Sequence, residues 1–174
     1  MTRPLTPFAR SEPATADLAR QALTSARRRN LTIVTAESCT AGLLAALLSE
    51  APGAADQLHG GFVAYTKANK AKTLGVSEEL LRRRGAVCGE VALAMAKGAL
   101  ERSPATLAVA ITGVAGPEPD EDGNPVGRVC IAVAGAGRPA RAVERDYGDL
   151  GRDEVRACAM ADALTELIRL AEAD

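Results

Sequence analysis

The chain has 174 residues, 47% of them hydrophobic and 25% charged, with a formal net charge of −1, which fits one soluble globular domain with a single sizeable core. The balanced charge and only four aromatic side chains (Phe8, Phe62, Tyr65, Tyr147) argue against a nucleic-acid backbone or stacked bases as the partner. Four cysteines (Cys39, Cys88, Cys130, Cys158) without paired spacing and one histidine, His59, argue against a zinc site and fit a reducing compartment, and no apolar run is long enough to span a bilayer. The cytoplasm is the expected location.

Residues 1–13 carry three prolines and no apolar period and read as a flexible tail, leaving residues 14–174 as one domain. Leu18, Ala19, Ala22, Leu23 and Ala26 recur at helical spacing and predict a helix over 14–29, closed by Asn30. Residues 31–35 (LTIVT) predict a short buried strand, followed by the polar turn 36–40 and an apolar helix that Pro52-Gly53 stops. A second strand is expected over 60–66, then a polar stretch to Leu74-Gly75. Ser77 is the expected N-cap of a helix that Gly85 ends.

A further helix is expected over 89–102 and a strand over 107–112, which runs into Gly113-Val114-Ala115-Gly116-Pro117. An acidic, turn-rich loop follows, then two strands over 126–133 and 140–146 around a hairpin, and a last helix from about 149 to 171. Basic runs at Arg27–Arg29 and Arg82–Arg84 fall where helices end, where cations complement the macrodipole. Strands alternating with helices and then following one another predict an α/β fold: a three-layer α/β/α sandwich on a mixed, mostly parallel sheet.

Open α/β sheets bind ligands beyond the carboxyl ends of their strands, so the strand ends are where chemistry is sought. Ser38 stands where a strand gives way to a helix, beside Glu37, Cys39 and Thr40. The N–H groups of that helix are candidates to hold an oxyanion, and Ser38 or Thr40 as a plain helix cap is the structural alternative. A serine nucleophile needs a base. His59 has no orienting acid nearby in sequence, whereas Lys67, Lys70 and Lys72 follow the second strand, and burial or a neighbouring cation lowers a lysine pKa toward the working range. Tyr65, at that strand's end, is placed to bridge lysine and serine through its hydroxyl. Cys39 is the alternative nucleophile, since helix N-termini activate thiols.

Thr112 and Gly113 sit at a third strand end, where glycine allows close approach of a ligand. Arg152 opposes the macrodipole at the start of the last helix, offset by Asp153 and Glu154 or by a bound phosphate, to which a guanidinium is suited.

Read together, TAESCTAGLLAALL, GGFVAYTKANKAKTLGV, GAVCGEVALAMAKGAL, AVAITGVAGP, PVGRV and GDLGRDEVR resemble six successive blocks of the CinA C-terminal domain family, also known as nicotinamide-nucleotide amidohydrolase, from Leu31 to Arg156. The resemblance implies a three-layer α/β/α fold and hydrolysis of the carboxamide of nicotinamide mononucleotide, giving nicotinic acid mononucleotide and ammonia, with no metal or organic cofactor. It places the nucleophile on Ser38 and its activating groups on Lys70 and Tyr65. The orienting threonine falls on Thr112 and the phosphate-pairing arginine on Arg152, with Thr40, Gly42 and Gly113 on the substrate-binding side.

The expected partner is a small nucleotide substrate, with no nucleic acid and no membrane, and a homo-oligomer is the expected assembly. The chain departs from the family's usual residues at Ala41 (a glycine), Lys67 (an asparagine), Cys88 (a serine) and in the 118–128 loop. A left-handed conformation at Ala41 would be strained, and Lys67 would lower the pKa of Lys70 by repulsion or disturb the site. These departures keep two alternatives in view: a non-catalytic nucleotide-binding or regulatory module, and an amidase acting on another small substrate.

Overall fold

A computed structural model describes residues 13–173. The expected tail therefore lies outside the described residues, except Pro13, which opens the first helix, where a missing N–H and a fixed φ are tolerated. In chain order the elements are α1 (Pro13–Arg28), β1 (Ile33–Glu37), α2 (Leu43–Ser49), α3 (Ala54–Gln57), β2 (Leu58–Val63), α4 (Lys67–Leu74), α5 (Glu78–Arg84), α6 (Gly89–Glu101), β3 (Leu107–Gly113), β4 (Arg128–Gly135), β5 (Arg138–Asp146) and α7 (Arg152–Glu172).

The strands form one sheet in the order β2-β1-β3-β4-β5. β2, β1 and β3 pair in parallel, and the β3–β4 and β4–β5 pairs are antiparallel. Four strands thus point one way and β4 runs against them, which is the mixed, mostly parallel sheet expected from the element order.

Both faces of the sheet are covered. Leu107, Val109 and Ile111 of β3, with Val129, Ile131 and Val133 of β4, pack against α1, α2 and α7. The alternate residues Ala108, Ala110, Cys130, Ala132 and Ala134 face α5 and α6. Period-2 alternation in the strands therefore puts large side chains on one face and small ones on the other. The small face lets α6 come close, and α6 answers with Ala92, Ala96 and Ala99, all fully buried. Each face removes a separate apolar cluster from water, which is the main driving force for three layers rather than two.

Two local differences from the sequence reading shape the carboxyl edge of the sheet. The first strand is displaced toward the C-terminus and ends at Glu37, so Ser38 is the first residue beyond it. The polar stretch after β2 is a helix, α4, capped by Thr66 Oγ1, which accepts the Asn69 N–H at 3.1 Å. Its buried residues are Lys70 and Leu74, one turn apart. The inward stripe of this helix contains a lysine, so an apolar period could not reveal it.

Candidate active site

Parallel pairing brings the carboxyl ends of β1, β2 and β3 to one edge of the sheet, with Glu37 opposite Val63 on one side and Ile111 on the other. A cavity of about 440 Å³ opens there, a size ordinary for a small-molecule site. Ser38, Tyr65, Lys70, Thr112, Gly113 and Arg152 all border it, and so do the 113–116 turn and four carboxylate residues of the acidic loop, Glu118, Asp120, Glu121 and Asp122. Six positions drawn from four separate elements of the sequence are thereby brought to one space.

The floor is built around Lys70, whose side chain is 1% exposed. Its Nζ lies 2.7 Å from Ser38 Oγ, 3.1 Å from the Ala64 carbonyl and 3.3 Å from the Tyr65 carbonyl. Burial lowers its pKa from 10.5 to about 8. A neutral amine has two N–H donors and one lone pair. Two carbonyls and one hydroxyl are the partners that such an amine satisfies completely. The Ser38 hydroxyl has a single proton: it lies toward the Tyr65 carbonyl at 3.3 Å while a charged Nζ donates to Oγ, and it turns to the Nζ lone pair when the amine is neutral. Ser38 is therefore bound to the lysine rather than capping α2, whose N-cap is Gly42 and carries no side-chain cap.

Tyr65 contributes to the site by a different atom from the one expected. Its main-chain carbonyl, not its hydroxyl, links lysine and serine; the ring is 53% exposed and its hydroxyl accepts from Arg152 Nη2 at 3.3 Å. Tyr65, two residues beyond the end of the edge strand β2, turns its side chain out to the rim while its carbonyl stays over the floor.

The helix N-terminus also behaves differently from expectation. Glu37, fully buried at the end of β1, reaches along the start of α2 and accepts the N–H groups of Gly42, Leu44 and Ala45 at 2.9–3.0 Å and the Thr35 hydroxyl at 3.0 Å. A carboxylate is the natural partner for the positive end of a helix. The N–H groups expected to hold an oxyanion are therefore already committed to Glu37.

The same geometry removes Thr40 and Gly42 from the substrate contacts. Thr40 is fully buried with no hydrogen-bond partner for its hydroxyl among the described residues, the Gly42 N–H belongs to Glu37, and neither residue borders the cavity. Gly42 is instead a backbone requirement, at φ 96°, next to Ala41 at φ 51°. Ala41 thus holds a left-handed conformation at a position where a side chain is strained.

Gly113 borders the cavity, but an added Cβ there would lie 2.8 Å from the Arg128 carbonyl, so the close approach it permits is to β4. Thr112 Oγ1 donates to the Ala86 carbonyl at 2.8 Å, which spends its only proton. It retains lone pairs toward the cavity and is an acceptor there, not a polarising donor.

Cys39 borders the cavity too, yet burial pushes its thiol up to about 11, so it is a poor thiolate and a poor rival to Ser38. His59 lies exposed on β2 and does not border the cavity.

The rim carries the charge. Lys67, expected to repel Lys70, is instead drawn to the acidic loop, with Nζ 2.6 Å from Asp122 Oδ1 and 2.9 Å from Glu121 Oε1, and these carboxylates raise its pKa. Asp122 also accepts the Ala86 N–H at 3.1 Å, and its own pKa is lowered, chiefly by Lys67. Also at the rim, Arg152 Nη1 donates to the Gly116 carbonyl at 2.7 Å. One turn later Arg156 Nε donates to the Cys39 carbonyl at 2.8 Å, and partial burial and the neighbouring Arg152 lower the Arg156 pKa. Glu37 and Arg156 lie inside the TAESCT and GDLGRDEVR blocks, yet the sequence reading gave neither a role. A carboxylate ending an otherwise apolar strand and a second arginine at i+4 from Arg152 are the signals by which they could have been found.

Comparison with known proteins gives one consistent answer. The family model described as "CinA C-terminal domain" matches residues 15–171. A "CinA-like protein" of Synechococcus sp. (strain RCC307) is 44% identical over 154 residues, covering 88% of this chain and 36% of the relative. A "CinA-like protein" of Mycolicibacterium paratuberculosis is 45% identical over 142 residues, covering 79% of this chain and 32% of the relative. The chain spans about a third of the length of these relatives. Among solved structures, the competence/damage inducible protein CihA from Agrobacterium tumefaciens superposes with a TM-score of 0.89 at 41% identity, covering 94% of this chain and 99% of that one. A CinA superfamily protein from Escherichia coli gives a TM-score of 0.86 at 34% identity, covering 95% of each chain.

Proposed function

Starting from the fact that the chain belongs to the CinA C-terminal domain family, we propose that it is a serine-lysine amidohydrolase that cleaves the carboxamide of nicotinamide mononucleotide. The observation that carries this reading is the 2.7 Å contact between Ser38 Oγ and the Nζ of a lysine that is 1% exposed and has a pKa lowered to about 8. At pH 7 such a lysine is neutral in about one molecule in ten, against about three in ten thousand for an ordinary lysine. The gain in competent base is therefore about 300-fold before any substrate contact is considered.

In the proposed sequence Lys70 Nζ takes the Ser38 hydroxyl proton as Oγ bonds to the carboxamide carbon, and the carbonyl oxygen becomes an oxyanion. The tetrahedral species collapses with cleavage of the C–N bond, and the proton on Lys70 passes to the leaving nitrogen, releasing ammonia. Water then gives a proton to Lys70 and attacks the acyl-serine, and collapse regenerates Ser38 and frees the carboxylic acid. The Ala64 and Tyr65 carbonyls hold the amine in place throughout. Thr112 Oγ1 serves as acceptor for the carboxamide N–H, and Arg152, at the rim beside the Tyr65 hydroxyl, pairs with the nucleotide phosphate.

The test is ammonia release by the purified protein, with nicotinamide mononucleotide offered beside nicotinamide riboside, free nicotinamide and unrelated small amides. Turnover of the mononucleotide that falls at least about a thousandfold in Ser38→Ala and in Lys70→Ala is expected. Turnover that survives both substitutions removes the mechanism. Calorimetric binding of the nucleotide without turnover favours a binding module, and preference for another amide moves the substrate but keeps the chemistry.

A further inference from the structure

The proposed reaction creates an oxyanion, and the site must offer it donors. The stretch from Ser38 to Ala46 can be followed one N–H at a time. Ser38 N–H donates to the Ile111 carbonyl, Ala41 to Ser38, Leu43 to Thr40 and Ala46 to Gly42. Gly42, Leu44 and Ala45 donate to Glu37. Among the described residues this leaves the N–H groups of Cys39 and Thr40 without an acceptor in another residue, and of these two residues only Cys39 borders the cavity. The Ala41-to-Ser38 hydrogen bond closes a turn with Cys39 and Thr40 at its centre. In such a turn, as at the start of a helix, the leading N–H groups point back toward the preceding strand end, here the Ser38 side.

One contact from outside holds this turn. Arg156 Nε, on the second turn of α7, donates to the Cys39 carbonyl at 2.8 Å and joins the last helix, in the same layer as α2, to the residue after the nucleophile. Arg156 is partly buried and does not border the cavity. It is therefore poorly placed to touch substrate and well placed to fix the main chain that does.

We propose that the Cys39 N–H is the oxyanion donor of this site and that Arg156 is a positioning residue, holding Cys39 in the orientation that presents this donor beside Ser38 Oγ. This rests on the hydrolase reading above. The helix α2 N–H groups are unavailable to the oxyanion because Glu37 holds them, and the Ser38 N–H is unavailable because β3 holds it. The donor directly after the nucleophile, the arrangement found where a serine follows a strand end, is the one left facing the reaction.

The test compares wild type, Arg156→Lys and Arg156→Met on two readouts: steady-state hydrolysis of nicotinamide mononucleotide, and the rate at which a fluorophosphonate labels Ser38. The second reads the oxyanion site whatever the natural substrate is. Arg156→Met is expected to lower kcat at least about tenfold with KM changed less than about threefold, and to slow labelling by a similar factor. Arg156→Lys, which still donates to a carbonyl but with a different reach, is expected to fall between the two. Thermal unfolding checks that each variant is folded, and if Arg156→Met is not, Arg156→Lys decides by the same criteria.

An unchanged kcat and labelling rate in a folded variant overturns the proposal. A rise in KM alone also overturns it, because it makes Arg156 a ligand contact. Wild-type protein that labels at Ser38 but ignores the mononucleotide removes the substrate assignment and leaves the labelling comparison to judge Arg156. Wild-type protein that neither labels nor turns over removes the hydrolase reading, and this one with it.

Discussion

Lys67 and Lys70 lie within one turn of the same short helix, and the cavity treats them in opposite ways. Lys67 stands on the rim, 30% exposed and paired with Asp122 and Glu121, and its pKa is raised. Lys70 lies under the floor among two carbonyls and a hydroxyl, with no carboxylate among its hydrogen-bond partners, and burial lowers its pKa to about 8. What separates them is the partner that burial permits. A cation beside carboxylates is stabilised as a cation, whereas a desolvated amine beside neutral acceptors favours losing its proton. The helix therefore supplies a structural cation and a candidate base three residues apart, and the repulsion expected between them from sequence is absent because the loop carboxylates hold Lys67 at the rim.

The largest effect is expected at Glu37, the buried carboxylate that holds the start of α2 behind Ser38. Its replacement by alanine strands one buried and two partly buried N–H groups and a buried hydroxyl, and a loss of about 3–5 kcal/mol in unfolding free energy is expected. Chemical denaturation measures it, and a loss below about 1 kcal/mol would mean that water or main-chain rearrangement takes over these donors.

The second test is the pH dependence of kcat/KM. A base that must be neutral, with a pKa lowered to about 8, predicts activity that rises about tenfold per pH unit below that value and levels above it. Lys67→Met, a change confined to the rim, is expected to leave the midpoint in place, and a shift of more than about half a unit would show that the two lysines communicate after all. The same lowered pKa has a stability consequence. The unfolded chain binds a proton at Lys70 more tightly than the folded one, so this residue's contribution to stability rises with pH between about 8 and 10.5.

The smallest effect is expected at Ala41. With φ at 51°, it sits where a side chain costs about 1–2 kcal/mol relative to glycine, so Ala41→Gly should raise the unfolding free energy by about 1 kcal/mol. A lower melting temperature in that variant would show that side-chain packing at this position outweighs the strain.

Much of the fold was readable in the chain because most of its elements announce themselves locally. LTIVT, LAVAIT and the 126–133 segment are β-branched or alternating runs bounded by turns, and the 14–29 and 89–102 helices carry apolar residues at helical spacing. Helix α4 was not readable, since its inward stripe pairs Lys70 with Leu74. Among the described residues, no helix is long and apolar enough to cross a membrane.

The site divides in the same way. Ser38, Tyr65, Lys70, Thr112, Gly113 and Arg152 were legible as a set of motif residues and all border one cavity, at the carboxyl edge of the paired strands β1, β2 and β3, with Lys70 supplied by α4 and Arg152 by α7. Which atom of each residue faces the others was not legible. Tyr65 contributes a carbonyl to the floor where a hydroxyl was expected, Thr112 gives its proton to Ala86, and Thr40 and Gly42 turn away from the cavity.

By itself, then, the amino-acid sequence determined the order of elements, the two-faced apolar pattern that demands three layers, and the residue types available at the strand ends, because each of these depends on neighbours within a turn or two. Tertiary structure alone decided that Lys70 is desolvated while Lys67 is paired, that Glu37 occupies the start of α2, and that Arg156 reaches Cys39 across 117 residues of chain. Desolvation and hydrogen-bond choice depend on what the rest of the molecule excludes or supplies at a point in space, and spacing along the chain carries no record of that.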